Sequence, residues 1–188
     1  MDWKRRDMRY GWVRVAVLAA VLGLGACDRA EPMAEETAAK NLRSATFFMT
    51  SNARQDGVQS LPSGVQYKVL TSGPASGEMP DSNDLVRVDY EGSLTDGTVF
   101  DSSYKRGAPA VFTVEGDIPG MSVVEGWREV LQHMKVGDEW IVYLPPEKGY
   151  GESPAGDIPP NSVLVFRMKL LDIARTPGGD RATAVATG

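Results

Sequence analysis

The side chains able to do chemistry fall in short patterns: Phe100-Asp101, Gly126-Trp127 and Gly149-Tyr150-Gly151, with Tyr90 upstream and Ile158-Pro159-Pro160 and Phe166 downstream. Most of them are aromatic or apolar, and Asp101 is the one carboxylate. A single cysteine, Cys27, and a single histidine, His133, leave no internal disulfide, no thiolate metal cluster and no nitrogen-rich zinc site, so neither a metal nor another cofactor is expected. Glu125 and Glu129 stand one helical turn apart and would suit acid–base work, but nothing in the sequence supplies a companion substrate site. Aromatic side chains with a few polar groups are also the materials from which a dry binding pocket is built. Taken singly, each residue has a plainer reading. Tyr90, Trp127 and Phe166 would be core, and Asp101 before two serines would be a turn or helix-cap residue.

The elements that must position these residues follow from periodicity. Val86, Val88 and Tyr90 alternate with Arg87 and Asp89 in a strand from Leu85 to Leu94, and Asp96-Gly97 turns the chain into a return strand, Thr98 to Phe100. Val65, Tyr67 and Val69 mark an earlier strand, and the breakers Gly73-Pro74, Gly77 and Pro80 make Ser72 to Asp84 a loop. Ser102 to Ala110 is a polar excursion before a short strand, Val111 to Val114. Trp127, Val130, Leu131 and Met134 follow the spacing of an amphipathic helix that Gly137 ends. Strands over Glu139–Leu144 and Val163–Asp172 complete an α+β class, a curved antiparallel β-sheet wrapped around one short α-helix. An N-terminal helix is expected over residues 32–55, with acidic residues early and basic ones late. Its Leu42, Ala45, Phe48, Met49 and Asn52 share a face. Phe47 and Phe48 either pack on the domain or meet a partner.

In order along the chain, VRVDYEGSLTDGTVFDSS, VVEGW and GYGESPAGDIPPNSVLVF resemble the FKBP-type peptidyl-prolyl cis-trans isomerases, over roughly residues 61–173. Core packing alone would not demand Phe-Asp, Gly-Trp, Gly-Tyr-Gly and Ile-Pro-Pro together. The segments LPSGVQYKVL, GTVFDSSYKRGAPA and IPPNSVLVF are most similar to the bacterial lipoprotein and macrophage-infectivity-potentiator branch.

That resemblance implies an isomerase of X-Pro bonds whose partners are proline-containing, exported, partly unfolded polypeptides. It implies Trp127 as the floor under the proline ring and Tyr90, Phe100, Val124 and Phe166 as walls, with Val123 beside them and Ile158 closing one side. Tyr150 and the Val124 N–H would donate to substrate carbonyls, and Asp101, at the rim beside Tyr90 and Arg106, would be the charged catalytic group. Macrolide inhibitor binding is implied for the same pocket. Three features depart from the drug-binding eukaryotic members: Ala110 replaces an aromatic, Asp157 replaces an apolar residue, and no histidine lies between Gly151 and Ile158. A short insertion, Glu115 to Ser122, precedes Val123. Two rivals use the same scaffold, a chaperone or binding module with little turnover and a structural lipoprotein serving a fixed partner.

The first 26 residues read as an export signal. Lys4, Arg5, Arg6, Arg9 and Arg14 precede an apolar run, Val15 to Leu24, that falls short of the ~20 residues a spanning helix needs. Leu24-Gly25-Ala26-Cys27 resembles the bacterial lipoprotein box, which implies lipidation of Cys27 and a membrane anchor facing the periplasm; an ordinary signal peptide with a chance cysteine is the alternative. Asp28 hints at the inner membrane but does not settle inner against outer. Residues 27–57 then form a lipid-anchored helical spacer, 58–173 the isomerase domain and 174–188 a tail expected to be disordered. Relatives of this branch carry a longer helical region that dimerises and cradles clients, and that module is expected to be mostly missing here. The net charge of −5 becomes more negative without the basic leader, so nucleic acid is not an expected partner.

Overall fold

A computed structural model describes residues 27–116 and 118–177, the stretch 27–32 by its backbone alone. The export signal, the side chain of Cys27 and the tail beyond residue 177 lie outside the described residues. Among those described, no helix is long and apolar enough to cross a membrane. The chain divides into two compact units at Glu35 and Glu36. The described part of the first is the opening of helix α1 (Cys27–Asn52), and the second holds the rest of α1 and all of the strands.

From Ala38 onward α1 is docked on the domain. Ala45 and Asn52 are buried. Asn52 Nδ2 donates to Gln66 Oε1 at 2.9 Å, and Gln66 Nε2 donates back to Met49 O at 2.9 Å. Phe48 lies 6.0 Å from the Tyr143 ring, whereas Phe47, one step round the helix, is 75% exposed. Leu42, placed by its spacing on one face with Ala45 and Phe48, is 46% exposed. Helical periodicity lines up Asn41, Ala45, Phe48 and Asn52, and Leu42 falls beside that line.

The strands are β1 (Val58–Ser60), β2 (Gln66–Thr71), β3 (Leu85–Ser93), β4 (Val99–Ser102), β5 (Ala110–Thr113), β6 (Glu139–Leu144) and β7 (Leu164–Ala174). They form one sheet in the order β1-β2-β6-β7-β3-β4, with β5 also paired to β3, and every pairing is antiparallel. Along one edge β3 meets β7 over its whole length; along the other it meets β5 through Leu85–Val88 and β4 through Glu91–Ser93. Register shifts at Val69/Thr71, Arg87/Val88 and Gly92/Ser93 are irregularities of the kind that bend strands. Two short elements were not expected from periodicity, the three-residue β1 and the single-turn helix α2 (Ser103–Arg106) inside the polar excursion.

Helix α3 (Glu125–His133) packs its apolar stripe against the inward-facing residues of the sheet. Val130, Leu131 and Met134 are fully buried beside Val86, Val88, Val142, Leu144, Leu164 and Met168 in one core. Burial of this kind stabilises by roughly 1.5–3 kcal/mol per large apolar side chain. Gly126 allows the close approach, since an added Cβ would sit 2.4 Å from Leu144 Cδ2. The ordered chain also runs past residue 173, where the domain was expected to end. Ala174 closes β7, Arg175 Nη1 donates to the buried Asp84 Oδ2 at 2.9 Å, and Thr176 N–H donates to Asp84 Oδ1 at 3.1 Å.

Candidate active site

Trp127 opens the first turn of α3 and is 3% exposed. Three rings meet it edge-on: Tyr90 at 5.1 Å and 89°, Phe112 at 5.3 Å and 82°, and Phe166 at 5.1 Å and 84°. Phe100 stands against Phe166 at 5.7 Å and 85°. Such edge-to-face pairs place the positive ring edge on the negative face and fix each ring's tilt. The alternation of β3 and β7 turns Tyr90 and Phe166 inward. Phe100 reaches the cluster because β3 carries no side chain at Gly92, where an added Cβ would lie 2.7 Å from both Phe100 Cε2 and Phe166 Cε1.

The polar rim is built by one turn of helix. Ser102 Oγ accepts from Lys105 N–H at the start of α2, and Gly107, at φ 74°, ends it. That turn returns Arg106 to Asp101, whose Oδ1 accepts from Arg106 Nη1 while its Oδ2 accepts from Tyr90 Oη. Arg106 Nη2 donates to Tyr90 Oη at 2.8 Å, with the guanidinium carbon 5.3 Å from the Tyr90 ring centre. Buried Ser103 pins the turn to β3: its Oγ accepts from Tyr90 N–H at 2.9 Å and donates to Asp89 Oδ1 at 3.0 Å. Partial burial pushes the Asp101 carboxyl up, but the bonds from Tyr90 and Arg106 and the Arg106 charge outweigh it and hold the group below its ordinary value. Burial first, then the bond to Asp101, pushes the Tyr90 phenol up. Near neutral pH the rim is therefore an ionised carboxylate held by a neutral phenol and a cation.

The remaining sequence-derived residues surround this cluster unevenly. Val123 and Val124 are half-buried against the core, and Ile158 is buried in it. Val124 has extended backbone at the start of α3, where its carbonyl accepts from Trp127 N–H at 3.0 Å. Its own N–H has no hydrogen-bond partner among the described residues, and neither has the buried Trp127 Nε1. Tyr150 lies apart from the rings, 45% exposed on the stretch that follows the 3₁₀ turn Pro146–Lys148. The insertion closes on itself through Thr113 N–H to Met121 O at 3.0 Å and Ser122 Oγ to Gly116 O and Ile118 O, both at 3.2 Å.

Sequence reasoning missed Phe112, Gly92 and Ser103. Phe112 is an aromatic on a short strand, a signal that was present but read only as strand. Gly92 and Ser103 act through contacts that are legible only once β3 and β4 are paired.

Residues 76–171 match the family model of the FKBP-type peptidyl-prolyl cis-trans isomerases. The chain belongs to that family. Residues 18–69 also match the domain found amino-terminal to the FKBP-type isomerase, a stretch that takes in α1 and β1. Among curated FKBP-type relatives the chain is similar to the peptidyl-prolyl cis-trans isomerase Mip of Coxiella burnetii, 46% identical over 136 residues that cover 72% of this chain and 56% of that protein. It is similar to FkpA of Aeromonas hydrophila, 43% identical over 79% of this chain and 53% of the relative. It is also similar to the outer membrane protein MIP of Legionella longbeachae, 41% identical over 76% and 56%. The chain thus spans about half the length of the curated relatives it matches. Of solved FKBP-type structures, FkpA from Escherichia coli superposes with a TM-score of 0.72 at 37% identity, covering 80% of this chain and 67% of that one. An isomerase from Pseudomonas syringae pv. tomato superposes at 0.64 and 34%, covering 72% and 95%.

Proposed function

We propose that this chain accelerates cis-trans exchange of X-Pro bonds in exported, partly unfolded polypeptides. The observation that carries the reading is the set of rings standing edge-on around buried Trp127, with the Tyr90–Asp101–Arg106 rim beside it. Rotation about an X-Pro bond meets a barrier of about 18–20 kcal/mol because amide resonance is lost in the twisted state. No nucleophile or metal is needed. A pocket that takes the prolyl ring onto Trp127, between Tyr90, Phe100, Phe112 and Phe166, strips water from the preceding carbonyl. Loss of that hydration favours the twisted amide, whose oxygen is the less delocalised. Val124 N–H and the Tyr150 hydroxyl donate to substrate carbonyls on either side, and Val123 and Ile158 bound the ring. Asp101, held ionised by Arg106, supplies the fixed charge beside the twisting group.

The lipidated Cys27 would tether the domain to a membrane on its periplasmic side, and a relative named as an outer membrane protein supports membrane association. The same pocket would admit macrolide inhibitors, with Ala110 and Asp157 tuning the affinity. A second reading, client holding with little turnover, is favoured by the exposure of Phe47 on α1.

A protease-free proline-isomerisation assay on the full chain in detergent, beside Asp101→Leu with circular dichroism to confirm folding, tests the proposal. Catalysis that drops in the folded variant supports it. A folded wild-type chain without catalysis leaves the holding role.

A further inference from the structure

Resting on the isomerase reading above, we propose that Asn41 and Asn161 are positioning residues: together they tie helix α1 to the loop that carries Tyr150 and Ile158, so that the docked helix sets one wall of the prolyl pocket.

The loop from Gly149 to Val163 has little regular structure of its own. Its internal ties include the Ala155–Ile158 bridge, with N–H to O distances of 3.0 Å each way, Asn161 N–H to Gly151 O at 2.8 Å, and Ser162 Oγ to Pro159 O at 2.7 Å. At its far end Asn161 is 5% exposed and adopts φ 55°, the one non-glycine residue with positive φ among those described. A backbone of that kind persists where its surroundings hold it there. Here α1 holds it from outside. Asn161 Nδ2 donates to Ala38 O at 3.1 Å, and Asn41 Nδ2 donates to Pro160 O at 2.9 Å. The exchange is reciprocal, each element giving one side-chain amide and one backbone carbonyl, across 123 and 119 residues of sequence.

Beside these bonds an open groove of about 150 Å³ runs between the helix and the loop, lined by Asn41, Ala45, Phe48, Leu94, Pro159 and Asn161. Packing at this seam is therefore incomplete, and the two amides fasten it. Both loop residues of the site lie close to a tied atom: Ile158 is two residues before Pro160, and Tyr150 adjoins Gly151, whose carbonyl takes the Asn161 N–H. Ile158 belongs to the same buried cluster as Trp127, Tyr90 and Phe166. A wall displaced by a fraction of an ångström weakens the fit to the twisted amide without unfolding anything.

The test compares Asn41→Ala and Asn161→Gly with wild type in the full chain in detergent. Asn161→Gly accommodates the positive φ while removing the side-chain amide. Asn52→Ala is the control, because it removes the bond to Gln66 from the same helix and leaves the loop ties intact. The readouts are kcat/KM on a Leu-Pro peptide, hydrogen exchange at the Ile158 and Asn161 amides, and Tm. Asn41→Ala and Asn161→Gly should each lower kcat/KM about fivefold, the scale of one net hydrogen bond, and speed exchange at both amides. Asn52→Ala should lower Tm and leave kcat/KM unchanged. Unchanged kcat/KM and exchange in both Asn41→Ala and Asn161→Gly would overturn the proposal, as would an equal loss in Asn52→Ala. A wild-type chain without isomerase activity would defeat the functional reading alone; exchange at Ile158 and Asn161 would still decide whether the helix orders the loop.

Discussion

Tyr90 Oη donates to Asp101 Oδ2 across the hairpin that joins β3 to β4, spanning 11 residues of sequence, and the same phenol oxygen accepts from Arg106. A phenol has one proton to give, so Tyr90 spends its donor on the carboxylate and keeps none for a substrate. In the proposed reaction its part would be to present its ring to Trp127 and to hold Asp101 ionised. Donation to a substrate would then fall to Val124 N–H and Tyr150.

Replacing Asp101 with Asn removes the charge and keeps the size. We expect kcat/KM to fall by at least about tenfold with little change in Tm, because the carboxylate side chain is 42% exposed. A folded variant with wild-type kcat/KM would remove the charge from the mechanism.

The lowered Asp101 pKa also sets a pH signature. A carboxyl whose folded value lies below its unfolded value, about 3.9, stabilises the fold above that unfolded value and loses the contribution as pH falls through the folded one. Urea titrations of wild type and Asp101→Asn should therefore differ by a constant amount from pH 8 to pH 5, and the gap should close only below about pH 4. A gap that closes near pH 6 would point to another group.

Gly92→Ala should harm the site more than the fold. The new methyl would meet Phe100 and Phe166 at 2.7 Å, and Phe100, only half-buried, is the ring able to yield. An expected loss of about tenfold in kcat/KM, beside a stability loss of about 1–3 kcal/mol for overpacking, is readable from kinetics and urea melts on the same preparation.

Ending the chain after Ile173 should destabilise the domain by about 2–4 kcal/mol, because the fully buried Asp84 carboxylate loses the donors Arg175 and Thr176 and keeps Asp81 N–H. Ending it after Pro177 should not. Denaturant unfolding of the two chains checks this, and equal stability would show that the residues beyond the strand are dispensable.

Cys27→Ala should abolish incorporation of labelled fatty acid and move the protein from the membrane to the soluble fraction of cells. Membrane association that survives the substitution would refute the proposed anchor.

Periodicity made most of the fold legible. The alternation of Val86, Val88 and Tyr90 and the spacing of Trp127, Val130, Leu131 and Met134 report burial directly, since one face of each element must leave water. What escaped depends on pairing. Gly92 looks like a weak strand residue until β4 lies beside it, and Ser103 looks like loop until its hydroxyl is seen under Tyr90. Spacing puts Leu42 on one face with Ala45 and Phe48, yet Leu42 stays exposed, because the face that binds the domain is partly polar, with Asn41 and Asn52 making the contacts. An apolar pattern cannot reveal a helix docked by amides.

The sheet order carries one further consequence. Its outer edges are β1, three residues long, and the separate four-residue strands β4 and β5, while the long strands β3, β6 and β7 are paired on both sides. Extended polypeptides are natural partners for an open strand edge, and a long edge would recruit them into mixed sheets. Among the described residues, a protein proposed to work among such chains offers only short open strand edges to copy, which would limit the templating of clients into aggregates.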